Sequence, residues 1–446
     1  MARMSDTEGL MWTLEKDPSL RSDFLNVTLL DAAPDPDRLR AKVELAVERL
    51  PRLRQRVVTS PLRLAPPEWV DDTRFDLDYH VRRVAVAPPG DLAQLLDVAA
   101  DVLMSPFDRA RPLWEFTIVE GLPEGRAALL QKLHHTIIDG VGGLKLSLEL
   151  LDFEREPAAT ATPEGWTPAE RSTGPVDVLV RTAVEATRRN AVLAARLARQ
   201  PLRLAGAARS IREQVFVTGG PLSPLMRDRS LSRRLAVHTI SLDDAKAVGK
   251  DTGATVNDVF VTGVTAALGA YHRAMGSPAA ELRMAMPVNL RGQGGDDSET
   301  GNQFAPVRVV VPAEPTDPRA LLPTIAERLA DVRAEPALGL SGSLAGILGL
   351  LPTALLVPIS RAQVRTVDFA TSNLRGSPVP LYLAGSRIEA NHPMGPLTGA
   401  ALNVTTLSYA GQMDLGVNLD PAAITDPKRF EACLVESFAT LLGTDR

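Results

Sequence analysis

The chain has one cysteine, Cys433, in 446 residues. An intramolecular disulfide is excluded, and a reducing, cytoplasmic setting is the expectation. Strong charge of either sign is also missing. The formal net charge is −5, which gives nucleic acid no bulk electrostatic hold. The opening Met1-Ala2-Arg3-Met4-Ser5-Asp6 does not follow the basic-then-apolar order of a signal peptide. Only one stretch, Pro336 to Ser360, is long and uncharged. It carries four glycines together with Pro352 and Pro358, which cost helix stability. It would just cross about 30 Å of hydrocarbon, but no second span accompanies it. The expectation is a broken buried helix or tunnel wall, with shallow membrane insertion as the alternative. No Gly-x-Ser-x-Gly elbow and no Gly-x-x-x-x-Gly-Lys-Ser/Thr loop occur. Serine-hydrolase and nucleotide-driven chemistry are therefore unsupported.

The remaining composition, 45% hydrophobic and 23% charged, is that of a globular chain long enough for two or three domains. Apolar spacing predicts helices over Asp37–Val47 and Asp91–Leu103 and strands over Phe24–Leu30, Pro112–Glu120 and Ala127–His134. A turn through Gly140-Val141-Gly142-Gly143 leads into a helix over Leu144–Leu151. Residues 1–155 read as an N-terminal mixed α/β subdomain. Residues 156–235 read as a linker and basic crossover helix, and residues 236–446 as a second α/β subdomain. In the crossover helix Arg181, Arg188, Arg189, Arg196 and Arg199 share one stripe. The stripe suits a solvated face or contact with anionic lipid. In the last part, Ala236–Ser241, Leu282–Val288, Ala305–Val311, Leu381–Ala390, Ala401–Tyr409 and Gln412–Asn418 are expected to form one sheet. Helices are expected over Leu242–Thr252, Asn257–Ala274 and Pro427–Leu442.

The chemistry concentrates in His134-His135-Thr136-Ile137-Ile138-Asp139-Gly140, at the end of the apolar stretch Ala127–Leu133. Neutral imidazole accepts a proton near neutral pH, and a nearby Asp can hold local geometry. Three readings stand: acyl transfer with one imidazole as base, a metal site, or a buried structural histidine. The metal reading lacks a His-Glu-x-x-His pattern and any nearby third His or Cys. His80, His238, His272 and His392 have no supporting constellation and read as surface or structural. Asn257 opens a predicted helix, so it reads as an N-cap as readily as a site residue.

The heptapeptide resembles the His-His-x-x-x-Asp-Gly signature of the chloramphenicol-acetyltransferase-like superfamily, which includes peptide-synthetase condensation domains. Its surroundings resemble the bacterial wax ester synthase/diacylglycerol acyltransferase family. The matching segments are Phe75–Arg82, Arg111-Pro112-Leu113-Trp114-Glu115, Val256-Asn257-Asp258-Val259, Pro287–Arg291, Gly301-Asn302-Gln303-Phe304, Ser372-Asn373, Pro380–Gly385 and Leu407–Gly411. They cover nearly the whole chain in order. The chain departs from the family pattern at Met4–Trp12 and at Leu374-Arg375-Gly376-Ser377, which puts the acceptor in question more than the reaction.

The resemblance implies two chloramphenicol-acetyltransferase-like α/β halves forming a pseudo-dimer with a channel between them. It implies transfer of an acyl group from acyl-CoA to diacylglycerol or a long-chain alcohol, with no metal or other cofactor. Other acceptors of the same fold, or a non-catalytic lipid-surface protein, are the alternatives. His135 is then the general base and His134 its supporting neighbour. Asp139 is a structural aspartate with Arg291 a candidate partner, and Asn257 is a candidate oxyanion donor. Gly140, Asp258, Arg291, Ser372 and Asn373 are candidates for substrate binding. Contact with the inner membrane or lipid droplets follows from the substrates.

Overall fold

The computed structural model describes residues 3–59, 66–137, 146–157, 165–166, 184, 187, 219–289, 304–314, 316–333 and 353–444. The arginine stripe of the predicted crossover helix, Gly301 and Asn302 lie outside these, as does most of the uncharged stretch. In chain order come α1 (Asp6–Leu14), β1 (Asp23–Leu30), α2 (Pro36–Arg49), β2 (Gln55–Val58), β3 (Glu68–Asp71), α3 (Leu77–His80), β4 (Val81–Ala85), α4 (Leu92–Met104), β5 (Trp114–Glu120), β6 (Ala127–His134) and β7 (Leu151–Asp152). There follow β8 (Arg234–Ser241), α5 (Leu242–Thr252), α6 (Val256–Ala274), β9 (Glu281–Asn289), β10 (Phe304–Pro312), α7 (Pro318–Arg333), α8 (Thr353–Val364), β11 (Phe369–Arg375), β12 (Tyr382–Leu383), β13 (Ser386–Met394), β14 (Leu402–Tyr409), β15 (Gln412–Leu419) and α9 (Pro427–Leu442).

Two mixed sheets organise most of these elements into an α/β architecture of two halves, and β2 and β3 form a separate two-stranded sheet. The first has the order β4-β5-β6-β1-β13-β12-β7, the second β10-β9-β11-β14-β15-β8. The segment Leu381–Ala390, expected as one strand of the second sheet, is instead two strands of the first. The chain reverses at Ala384 and Gly385, which have φ of 47° and 90°, and β13 then pairs antiparallel with β1 from Leu25↔Met394 to Leu30↔Ile388. The physical reason is packing on both faces. Ile388 joins the core with Trp114 and Phe116, while Met394 joins the one with Leu25, Val27 and α4.

β13 is also tied to the second sheet. His392 Nδ1 lies 3.1 Å from the Leu415 carbonyl, the Asn391 N–H donates to Asp414 (2.7 Å), and Asn418 Nδ2 donates to the Gly395 carbonyl (2.9 Å). The approach is so close that a Cβ on Gly416 would sit 2.1 Å from the Pro393 carbonyl oxygen. The uncharged stretch reaches the described residues only as α8, which runs through Pro358. The helix is continuous across Pro358, and residues 336–352 of the stretch lie outside the described residues. Leu356 of α8 is buried and Leu355 exposed. Among the described residues no helix is long and apolar enough to cross a membrane.

All four histidines outside the dyad avoid the surface, so the structural alternative accounts for them. His80 and His272 are fully buried, His392 nearly so and His238 partly. His80 stacks between Phe75 and Trp114 (centroids 5.2 and 4.5 Å), with Nδ1 2.7 Å from the Trp114 carbonyl. Burial pushes it from 6.5 down to about 4. The unfolded chain therefore binds a proton at His80 from about pH 6.5 downward, and the folded chain only below about 4. Stability is lost as pH falls through that window and is regained above it. His80→Phe is expected to remove about 2 kcal/mol of the stability difference between pH 7 and pH 5. Urea unfolding at the two pH values measures it, and equal losses in both proteins would contradict it.

Candidate active site

β6 is buried along nearly its whole length, held by β5 on one side and β1 on the other. Apolar residues on both of its faces make it a central strand. Its last residue is His134, opposite Asp23 of β1, and His135 is the first residue beyond it. The His134 N–H donates to the Leu113 carbonyl (3.1 Å), the His135 N–H to the Ser22 carbonyl (3.3 Å), and the Ile137 N–H back to His134 (3.0 Å). The two imidazoles therefore leave a rigid strand end at a fixed turn.

Their environments differ. His134 is buried. The Thr136 N–H donates to its Nδ1 (3.1 Å), and the Thr136 hydroxyl lies 2.7 Å from the same nitrogen. That leaves Nε2 to carry the proton given to Glu15 at 2.5 Å. Trp12 and Phe107 approach the ring edge-on, at 6.3 and 6.4 Å. Burial acts to raise the Glu15 carboxyl. Electrostatic attraction to His134 and its hydrogen bond, followed by the Ser22 N–H and the Arg109 guanidinium, outweigh it and hold the group below its usual value. Both nitrogens of His134 are thus engaged in structure.

His135 packs on Phe24, centroids 5.0 Å apart, and the residue as a whole is half-buried. Its enclosure is enough to push it from 6.5 down to about 4. The imidazole is uncharged at neutral pH, the state a proton acceptor needs.

Glu15, Asp23 and His134 present donor atoms within 4.8 Å of one another, a grouping that tertiary structure alone assembles. A metal ion there would have to displace the Glu15–His134 hydrogen bond. It would also sit among the cations Lys132 and Arg109, whose charges already act on Asp23. The donor set therefore fits a hydrogen-bond network better than a cation.

In the second half, Asn257 is not the N-cap of α6. Thr255 is, and it forms a capping box with Asp258: Oγ1 accepts the Asp258 N–H (3.2 Å) and Asp258 Oδ2 accepts the Thr255 N–H (2.9 Å). Asp258 Oδ1 takes Arg333 of α7 at 2.7 Å. This buried carboxylate, a substrate-binding candidate in the sequence, is committed to joining two helices. Asn257, one position earlier, points elsewhere: its Oδ1 accepts from Asn373 Nδ2 of β11 at 3.4 Å. Two candidates far apart in sequence are brought together, with Ser372 beside Asn373 on the strand. Asp139, Gly140 and Arg291 lie outside the described residues. Trp114 of β5 lies beside the dyad's strand, paired with Leu133, and donates Nε1–H to the Leu53 carbonyl (2.7 Å).

Comparison with known proteins puts this geometry in context. The family model described as the wax ester synthase/diacylglycerol acyltransferase catalytic domain matches residues 4–260. That of the corresponding C-terminal domain matches residues 300–442. A putative diacylglycerol O-acyltransferase of Mycobacterium tuberculosis is 38% identical over 461 residues, covering 99% of this chain and 92% of the relative. A probable diacylglycerol O-acyltransferase of the same species is 31% identical, covering 82% of each. Among solved structures, the wax ester synthase/diacylglycerol acyltransferase from Marinobacter aquaeolei VT8 superposes with a TM-score of 0.67 at 22% identity, over 100% of this chain and 99% of that one. The starter condensation domain of rhizomide synthetase, solved with C8-CoA and Leu-SNAC, gives 0.58 at 15% identity, over 99% and 94%. These two likenesses establish the fold.

Proposed function

On the premise that the chain belongs to the wax ester synthase/diacylglycerol acyltransferase family and is an acyltransferase, we propose that it moves a fatty acyl group from acyl-CoA to the hydroxyl of diacylglycerol or a long-chain alcohol. The observation that carries this reading is the His135 imidazole, uncharged and set on a half-buried residue at the end of a buried strand. An alcohol is a poor nucleophile at neutral pH. His135 takes its proton as the oxygen attacks the thioester carbonyl, and returns it to the departing CoA thiolate. The developing oxyanion needs a donor. Asn257 suits that task, since its Oδ1 is engaged by Asn373 and its amide N–H groups are the part left to donate. Ser372 and Asn373 line the acceptor's path. Asp139 orients the turn after the dyad, with Arg291 as its partner, and Gly140 lets the substrate approach the backbone.

The substrates are lipids, so the protein works at a membrane or lipid-droplet surface from the cytoplasmic side, without a spanning helix among its described residues. The test is incubation of purified protein with [¹⁴C]palmitoyl-CoA and either hexadecanol or dipalmitoylglycerol. Labelled wax ester or triacylglycerol is expected. Product with neither acceptor, alongside transfer to another hydroxyl or amine, would move the chain to a different substrate class.

A further inference from the structure

We infer that Glu15 is the positioning residue for both histidines of the dyad, an inference that rests on the general-base reading of His135. Its carboxylate receives His134 Nε2 at 2.5 Å and the Ser22 N–H at 3.0 Å, and Arg109 approaches at 3.5 Å. The Ser22 carbonyl in turn receives the His135 N–H at 3.3 Å. One side chain thus holds the His134 ring directly and the His135 backbone through a single intervening residue.

The two arms act on different coordinates. The His134 arm fixes the ring orientation and the tautomer, because Nδ1 already accepts the Thr136 N–H. The Ser22 arm fixes where the chain leaves β6, hence where the His135 imidazole begins. Neither contact reaches reacting atoms, so Glu15 acts through its neighbours.

Glu15 itself is set from three directions. It is the C-cap of α1, its N–H bonded to the Met11 carbonyl (3.2 Å). α1 starts with a capping box between Ser5 and Glu8. Arg109 donates to the Trp12 carbonyl (3.1 Å) and lies 3.7 Å over the Trp12 ring. Asp17, two residues on, pairs with Arg361 of α8 at 3.4 Å. The segment that departs from the family pattern, Met4–Trp12, is therefore the helix that delivers Glu15. Within it Met4, Glu8 and Trp12 are buried, and Trp12 reaches the His134 ring. Arg361 adds a tether from the second half of the chain.

Displacing a reacting group by about 1 Å costs roughly 10²-fold in rate, which sets the size of the effect. In the full-length protein assayed with palmitoyl-CoA and whichever of hexadecanol or dipalmitoylglycerol it accepts, Glu15→Ala removes the one oxygen that accepts from both His134 Nε2 and the Ser22 N–H. It is expected to lower kcat about 10²-fold, with KM for palmitoyl-CoA within about twofold of wild type. Glu15→Gln keeps an acceptor oxygen at that position and should recover most of the loss. The double variant Glu15→Ala/His134→Gln should be no slower than the slower single one. A readout independent of turnover is the imidazole N–H proton of His134, observed by NMR in ¹⁵N-histidine-labelled protein. It should resonate downfield of the backbone amides, vanish in Glu15→Ala and His134→Gln, and persist in His135→Ala. Unchanged kcat in Glu15→Ala overturns the inference, as does a persisting signal in that variant. If His135→Ala retains wild-type turnover, the general-base reading fails instead, and the NMR comparison still decides whether Glu15 holds the dyad.

Discussion

Replacing His135 with alanine lowers kcat by roughly 10²–10⁴ while the melting temperature stays near that of the parent. The residue is half-buried and its backbone N–H bond to Ser22 survives the change, so the fold loses little. The chemistry loses the group that accepts the hydroxyl proton during attack. Acyl transfer from palmitoyl-CoA measures the effect, and turnover within a few-fold of wild type would reject the proposed mechanism. The same group sets the acid limb of kcat/KM. The working form is the uncharged imidazole, and burial lowers its pKa to about 4. Activity limited by this group should hold steady from pH 7 to pH 5 and fall about tenfold per unit only below the His135 value. An acid limb centred at the ordinary histidine value of about 6.5 would mean that the base is less enclosed than described, or is another residue.

The second large effect is expected at Gly416. A Cβ there meets the Pro393 carbonyl oxygen at 2.1 Å. Because that oxygen belongs to backbone, no side-chain rotation relieves the clash. One of the two strands must move, and both are committed: β15 to its neighbours β14 and β8, and β13 to β1. Gly416→Ala should therefore cost about 3 kcal/mol of stability, seen as a lower urea midpoint. Gly411→Ala is the comparison, since a Cβ at that turn meets nothing within 4 Å. The comparison is not free of cost, because Gly411 has a φ of 86° and alanine there carries backbone strain. Equal midpoints for the two variants would indicate that strain, not the strand contact, governs both.

Local structure was legible wherever one physical signal decided it. Ala127–His134, Leu242–Thr252 and Pro427–Leu442 were read with the ends they have. The first is an uninterrupted buried strand. The other two end at Gly253 and Gly443 in the left-handed conformation, and the last also begins at a proline. α7 and α8 were harder, because Pro323 and Pro358 lie inside them and proline argues locally for a break. Partner choice was not legible. Alternation along 386–394 marks a strand, but nothing local says which sheet receives it. The site divides in the same way. The dyad stood out by adjacency and chemistry. Glu15 carries no local signal, and its role exists only because α1, β1 and β6 meet. Asn257 and Asp258 were visible as a pair, but their roles separate only once Thr255 is seen to cap the helix.

The placement of β13 has a consequence for synthesis. Asn26 of β1 hydrogen-bonds Asn391 of β13 across 365 positions of sequence. A ribosome adding about 5–20 residues per second needs roughly 20–70 s to make the partner. During that interval β1 is a nascent edge with its backbone groups open on one side, the kind of surface that templates aggregation. The N-terminal half cannot finish folding as it emerges, and the chain through Met394 must be released before the strand carrying Asp23 and Phe24, which flank the dyad, gains its second neighbour. Truncation before residue 386 would therefore remove a strand from the half it does not appear to belong to.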